Sequence, residues 1–158
     1  MKRKLIAVPI LLLLFAVSCS HFARSSSDDE QPLQADQVPL NIRDAFAATF
    51  PSADGTLWER EGKLFEAEFV EDGETVEVYY SPDSAVHRME RSATFAALPP
   101  VAQTHLLTEV EPSQIRSVEK VTKSTTGESW DVEVEKSGKE WIYLYKADGS
   151  LISRELDD

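Results

Sequence analysis

The chain has 158 residues, 28 of them acidic against 16 basic, for a formal net charge of −12 at neutral pH. Binding to nucleic acid or to anionic headgroups relies on Lys and Arg neutralising phosphate, so this balance argues against both kinds of partner. A single cysteine, Cys19, rules out an intramolecular disulfide.

Lys2, Arg3 and Lys4 precede an almost unbroken apolar run from Leu5 to Val17. About 13 residues fall short of the roughly 20 that span a bilayer as a helix, so the run reads as the hydrophobic core of a secretory signal. At its end, Ala16-Val17-Ser18-Cys19 resembles the lipobox of bacterial lipoproteins, where small residues precede a cysteine that is acylated and becomes the mature N-terminus. Ala16 departs from that pattern, in which leucine is commonest. The expectation is a signal peptide over 1–18, lipidation at Cys19 and, with Ser20 rather than aspartate following, sorting to the outer membrane. Removal of 1–18 takes three basic residues and no acidic one, so 16 − 3 = 13 basic residues face 28 acidic ones. Attachment to a membrane must then come from the N-terminal acyl chains alone. Residues 19–37, rich in Ser, Asp, Gln and Pro, read as a disordered tether.

A first helix is predicted from Pro39 to Phe50, with Ile42, Ala45, Phe46 and Thr49 on one face and Pro51 as the stop. Pro100 and Pro112 take the same parts in a second helix (100 − 39 = 61), where Leu106, Leu107 and Val110 form the apolar face. A strand over Thr56 to Arg60 has its counterpart near Ser117 to Thr122. Alternating runs then follow: Phe65 to Arg91, broken by Asp72-Gly73 and by Ser81 to Asp83, and Trp130 to Leu156, broken by Ser137-Gly138 and by Ala147 to Gly149. Turn residues between β-rich segments are a strong hairpin signal. Gly138 stands 65 residues after Gly73 (138 − 73 = 65), as Trp130 does after Phe65 and Asp148 after Asp83. A constant offset predicts an internal duplication. The fold expected is α+β: a tandem repeat of one helix plus a four-stranded antiparallel sheet, over 38–97 and 98–158, with the helices packed on one sheet face.

Two-residue loops fix a register. Phe65, Ala67 and Phe69 then pair with Tyr80, Val78 and Val76, and Trp130, Val132 and Val134 pair with Tyr145, Tyr143 and Trp141. These residues share a face with a core pattern, which assigns Trp58, Trp130, Trp141, Tyr143 and Tyr145 to packing rather than to ligand stacking. The opposite face carries Glu66, Glu68, Glu77 and Tyr79 in the first unit, and Asp131, Glu133, Glu135, Glu140, Ile142 and Leu144 in the second. Glu66, Glu68, Glu77, Asp131, Glu133 and Glu135 are the candidate contacts for a basic partner surface, with Ile142 and Leu144 as its apolar foothold. A divalent cation is the competing occupant of those carboxylates. His21, His87 and His105 lack metal-ligand spacing, no nucleophile-elbow sequence occurs, and the glycines stand at turns. Neither a catalytic residue, a metal site nor a cofactor is expected.

Val38-Pro39, Phe50-Pro51, Trp58-Glu59, Phe65-Glu66-Ala67-Glu68-Phe69 and Val78-Tyr79-Tyr80-Ser81-Pro82-Asp83 resemble the PepSY-like, β-lactamase-inhibitor-like domains of bacterial periplasmic and surface proteins. Leu98-Pro99-Pro100, Trp130-Asp131-Val132-Glu133-Val134 and Tyr145-Lys146-Ala147-Asp148-Gly149 repeat the theme. The resemblance implies a helix packed on a four-stranded sheet, duplicated, with an exposed concave face that grips a partner protein, and it implies no catalytic residue. The function expected is that of a cell-envelope lipoprotein acting as a non-enzymatic protein- or peptide-binding module, such as an inhibitor or sensor of an envelope enzyme. The alternative is a structural or assembly lipoprotein with no ligand on the sheet face.

Overall fold

The computed structural model describes residues 31–157; the signal-peptide and Cys19 expectations lie outside them. Nine strands form one antiparallel sheet in strict chain order: β1 (Gln31–Leu33), β2 (Leu57–Glu61), β3 (Leu64–Glu71), β4 (Glu74–Tyr80), β5 (Val86–Ser92), β6 (Ile115–Lys123), β7 (Gly127–Lys136), β8 (Lys139–Lys146) and β9 (Leu151–Asp157). Helix α1 (Leu40–Thr49) lies between β1 and β2, and α2 (Pro100–Glu109) between β5 and β6. The fold is therefore α+β, and the succession of one helix and four strands occurs twice along it. β1 was not expected. Gln31, Pro32 and Leu33 pair with Arg60, Glu59 and Trp58, which places a strand within the stretch assigned to the tether. A short edge strand carrying Pro32 also discourages further pairing at that edge.

The hairpin registers are those the sequence predicts. Phe65 faces Tyr80 across β3 and β4, and Val134 faces Trp141 across β7 and β8. Asp72-Gly73 and Ser137-Gly138 all have positive φ, the type I′ geometry whose twist matches that of the strands it joins.

The helix offset differs from expectation. The buried positions Val38, Ile42 and Phe46 recur as Leu98, Ala102 and Leu106, an interval of 60 (98 − 38 = 60). Pro39 and Pro99, rather than Pro100, hold the matching N-cap positions, with φ of −53° and −54°. Pro112 opens a separate 3-10 turn after α2 instead of ending it. Leu107, assigned to the apolar face, is 48% exposed, and Thr49 is exposed as well. The longer β6–β7 hairpin takes up the difference between the offset of 60 at the helices and 65 further on.

Two cores sit on the same sheet face, one beneath each helix. The first joins Ile42 and Phe46 to Trp58, Phe65, Ala67, Phe69, Val76, Val78 and Tyr80. Phe46 meets Trp58 and Phe69 edge-on, with ring centroids 5.2 and 5.3 Å apart. The second joins Ala102 and Leu106 to Val118, Val132, Val134, Tyr143 and Tyr145, with Trp130 and Trp141 against its margin. Leu106 replaces Phe46 and Val134 replaces Phe69, while Val132 and Tyr143 are larger than Ala67 and Val78, so volume moves within the unit rather than being lost. All five candidate stacking aromatics belong to these cores. Each helix is also tied to a distant turn: Asn41 Nδ2 donates to the Pro82 carbonyl at 3.1 Å, and Gly149 lies beneath Val101 and Ala102.

Candidate functional site

Because side chains alternate along a strand, the pairing across all nine strands places every predicted contact on the face opposite the helices. One row across the sheet reads Leu57, Glu68, Glu77, Glu90, Val121, Ser129 and Lys146. A second reads Ser92, Glu119, Asp131, Leu144 and Ser153, and a third Ser117, Glu133, Ile142 and Glu155. Glu66 lies in a row with Glu59, Tyr79, Arg88 and Lys123, while Glu135 stands opposite Glu140 near the β7–β8 turn.

The face is less open than alternation implies. Glu66, Glu90 and Asp131 are 7%, 6% and 2% exposed, and Tyr79 and Ile142 are buried as well. Both helices pack on the other side of the sheet. The middle of this face is acidic and shielded from water. Ile142 thus belongs to that middle rather than offering an exposed foothold; Leu144 is half-buried beside it. The exposed apolar side chains of the face are Leu57 and Val70, at 54% and 65%, neither of which the sequence marked as a contact.

Arg88 organises the centre. Its guanidinium stacks over the Tyr79 ring, 3.8 Å from the centroid, donates to Glu61 Oε2 at 3.2 Å, and pairs with Glu90 Oε1 at 3.1 Å. The Tyr79 hydroxyl donates to Glu77 Oε2 at 2.9 Å. Burial first, then the charge of Glu90, lifts the Glu77 carboxyl to about 7 against the Tyr79 hydrogen bond and Arg88. Glu119 goes further, to about 8, through burial and the charges of Glu90, Glu77, Asp131 and Glu133. Burial also raises Glu133, although the Ser117 hydroxyl donates to its Oε2 at 3.2 Å. Glu135 at the rim is held by Arg116. Glu77 and Glu119 therefore hold their protons closer to neutral pH than an ordinary carboxyl does, because burial and like charge both oppose ionisation.

Glu66, Glu68 and Glu77 on β3 and β4 and the five predicted contacts on β7 and β8 are thus one surface, with β5 and β6 between them. Those middle strands supply Arg88, Glu90 and Glu119, which sequence reasoning missed. Each hairpin had been given a register by its own turn; β5 and β6 pair across the long α2 connection, where no local signal sets the register. Among the described residues, no three His, Cys, Asp or Glu are grouped so as to hold a metal ion. The divalent-cation alternative therefore finds no ligand set there. His87 is exposed on β5, and His105 Nδ1 lies 3.0 Å from the Tyr145 hydroxyl at the second core.

This architecture has solved counterparts. The fold is that of BLIP-like and DUF2874 proteins. A DUF2874 family protein from Bacteroides uniformis matches with a TM-score of 0.68 at 19% identity, over 75% of this chain and 89% of its own. A BLIP-like protein from Bacteroides fragilis matches at 0.63 and 22% identity, over 75% and 85%. A Bacteroides eggerthii protein, described provisionally as periplasmic, matches at 0.68 and 18% identity, over 75% and 88%. No family model and no curated protein matches the chain in sequence. At these identities the likeness is one of BLIP-like fold alone.

Proposed function

We propose that the chain is a cell-envelope lipoprotein that acts as a non-enzymatic binding module, docking a basic protein or peptide segment on the acidic face opposite the helices. Charge complementarity carries the reading. Glu66, Glu68, Glu77, Asp131, Glu133 and Glu135 are joined there by Glu90 and Glu119, while the cations of the same rows are Arg88, Lys123 and Lys146. Leu57 and Val70 add exposed apolar contact at one side. Such a face attracts a cationic partner over distance and orients it on arrival.

The BLIP-like fold supports a protein as that partner, and the provisionally periplasmic neighbour supports the envelope as the place. Residues 1–18 and Cys19 are read as a lipoprotein signal and anchor on an outer membrane, and the two helix-and-four-strand units as copies of one PepSY-like ancestor. Inhibition or sensing of an envelope enzyme is the form this docking takes. A second reading, a structural or assembly lipoprotein, is favoured by the burial of Glu66, Asp131 and Ile142, which withdraws them from a partner. Charge reversal at the accessible positions discriminates the two. The parent protein should capture basic proteins from envelope extract, and the variant combining Glu68→Lys, Glu133→Lys and Glu135→Lys should not. Equal capture by both, or none by either, overturns docking.

A further inference from the structure

We propose that the outer edge of β9 is a strand-docking site, which takes an extended segment of a partner protein as a tenth, antiparallel strand with basic side chains on the side of Glu155 and Asp157. The edge is a different surface from the face used in the docking reading above and does not depend on that reading.

The first unit contains the same edge with its strand in place. β9 repeats β5 at an interval of 65, in register as well as in sequence. Val76, Val78, Tyr79 and Tyr80 face Arg91, Met89, Arg88 and Val86, and Trp141, Tyr143, Leu144 and Tyr145 face Leu156, Arg154, Ser153 and Leu151. Even the irregularity recurs, between Tyr79 and Tyr80 and again between Leu144 and Tyr145. The far edge of β5 is taken by β6, antiparallel. At one end the Ala93 N–H donates to the Val118 carbonyl at 2.8 Å, and at the other the Ser124 N–H donates to the His87 carbonyl at 3.2 Å. Hydrogen-bonding groups alternate along a strand, so Met89 and Arg91 between them also turn their backbone to β6. At an interval of 65, His87, Met89 and Arg91 become Ile152, Arg154 and Leu156 (87 + 65 = 152). Among the described residues no strand pairs with that edge of β9, which ends the sheet. Three residues there offer backbone N–H and C=O groups to an added strand. The other end of the sheet is closed by β1, three residues long and carrying Pro32.

Side chains set the occupant. Arg154 and Leu156 stand opposite Tyr143 and Trp141 on the helix face, whereas Ser153, Glu155 and Asp157 project on the other. A strand laid antiparallel on β9 therefore sets alternate residues beside Glu155 and Asp157, and the intervening ones beside Leu156, Arg154 and Ile152, the last 55% exposed. Asp157 also borders a cavity of about 340 Å³ with Glu135, Gly138, Lys139, Glu140 and Leu156, where a long basic side chain meets Glu140 and Asp157. Opposite charges across a strand pair stabilise it and like charges do the reverse, so the complement is lysine or arginine alternating with apolar residues. A second copy fits less well, because each chain brings a net charge of −12.

The test is fluorescence anisotropy of a labelled heptapeptide of alternating lysine and valine, titrated with the full chain. Seated on β9, its lysines lie beside Asp157, Glu155 and Ser153, while its valines, opposite Leu156, Arg154 and Ile152, exchange the backbone hydrogen bonds. Methylating the backbone nitrogens of the valines should weaken binding at least about tenfold through loss of those bonds. Methylating those of the lysines, which point away from β9, should change it by less than about twofold. Arg154→Pro removes one outward N–H at an edge position and should weaken the unmodified peptide about tenfold; the methylated peptides carry the test if that variant fails to fold. Equal binding by the two methylated peptides means contact through charge alone, and overturns the edge site while leaving the acidic-face reading intact. No binding of the unmodified peptide overturns the edge site too. Self-association that excludes the peptide and is abolished by Arg154→Pro would put a second copy on β9 and overturn the foreign strand.

Discussion

Substituting Glu119 by glutamine removes one ionisable group from the acidic face and keeps its shape. The carboxyl of Glu119 rises from 4.5 to about 8 on folding, with burial the largest cause. A raised acid favours the folded state fully below its unfolded value of 4.5, and that stability is lost as pH climbs through about 8. For an isolated carboxyl, 3.5 pH units at 1.36 kcal/mol each would amount to about 5 kcal/mol. Glu119 is only part-buried and shares its repulsion with Glu90, Glu77, Asp131 and Glu133, so screening and shared titration reduce the effect. Glu119→Gln should therefore stabilise the protein by about 1–3 kcal/mol near pH 9 and leave it nearly unchanged near pH 5. Urea unfolding of parent and variant at about pH 5, 7 and 9 reads this as a midpoint difference that widens with pH. A constant difference across the three, or a variant weaker than the parent at pH 9, would refute the reasoning.

Arg88→Met leaves Glu90 and Glu61 without their shared cation. Breaking a buried pair in this way should cost about 3–5 kcal/mol, with a larger loss near pH 9 than near pH 5, as denaturant melts at the two pH values will show. Gly149→Ala sets a Cβ 2.8 Å from that of Pro99 and 2.9 Å from the Ala102 nitrogen, at a φ of +86°. A loss of about 2 kcal/mol or more is expected, and thermal unfolding within error of the parent would mean that α2 does not press on this turn. Tyr80 and Tyr145, buried in the first and second core, should respond differently to loss of their hydroxyls. Tyr145→Phe removes the partner of His105 Nδ1 and should cost about 1 kcal/mol, whereas Tyr80→Phe should be neutral or stabilising, because the Tyr80 hydroxyl has no hydrogen-bond partner among the described residues. Cys19→Ser should release the protein from membranes and alter its processing; normal membrane fractionation of that variant would dispose of the anchor.

The contrast between the tyrosines follows from the two units' differences. At the helix position matching His105, sixty residues earlier (105 − 45 = 60), stands Ala45, which offers Tyr80 no side-chain nitrogen. The same kind of detail separates what was legible in the chain from what was not. Asp72-Gly73 and Ser137-Gly138 announced their turns because positive φ at both loop positions is a local requirement that few residues meet. Alternation on either side then assigned Phe65 through Tyr80 and Trp130 through Tyr145 to their faces, since the period of two leaves no choice once a loop sets the register. Proline spacing was a weaker guide. Pro39 and Pro100 suggested an interval of 61, but burial aligns Val38 with Leu98 and Pro39 with Pro99.

By itself, then, the sequence determined the strands other than β1, the hairpin registers, the two aromatic cores and the acidic character of the opposite face, all of which depend on neighbours within a few residues. Only the tertiary structure decided that β5 pairs with β6. That pairing joins residues across the whole α2 connection. It brings Glu77, Glu90, Glu119 and Asp131 to neighbouring positions of one face. Burial decides the chemistry of these carboxyls, and it depends on what the rest of the chain brings over them.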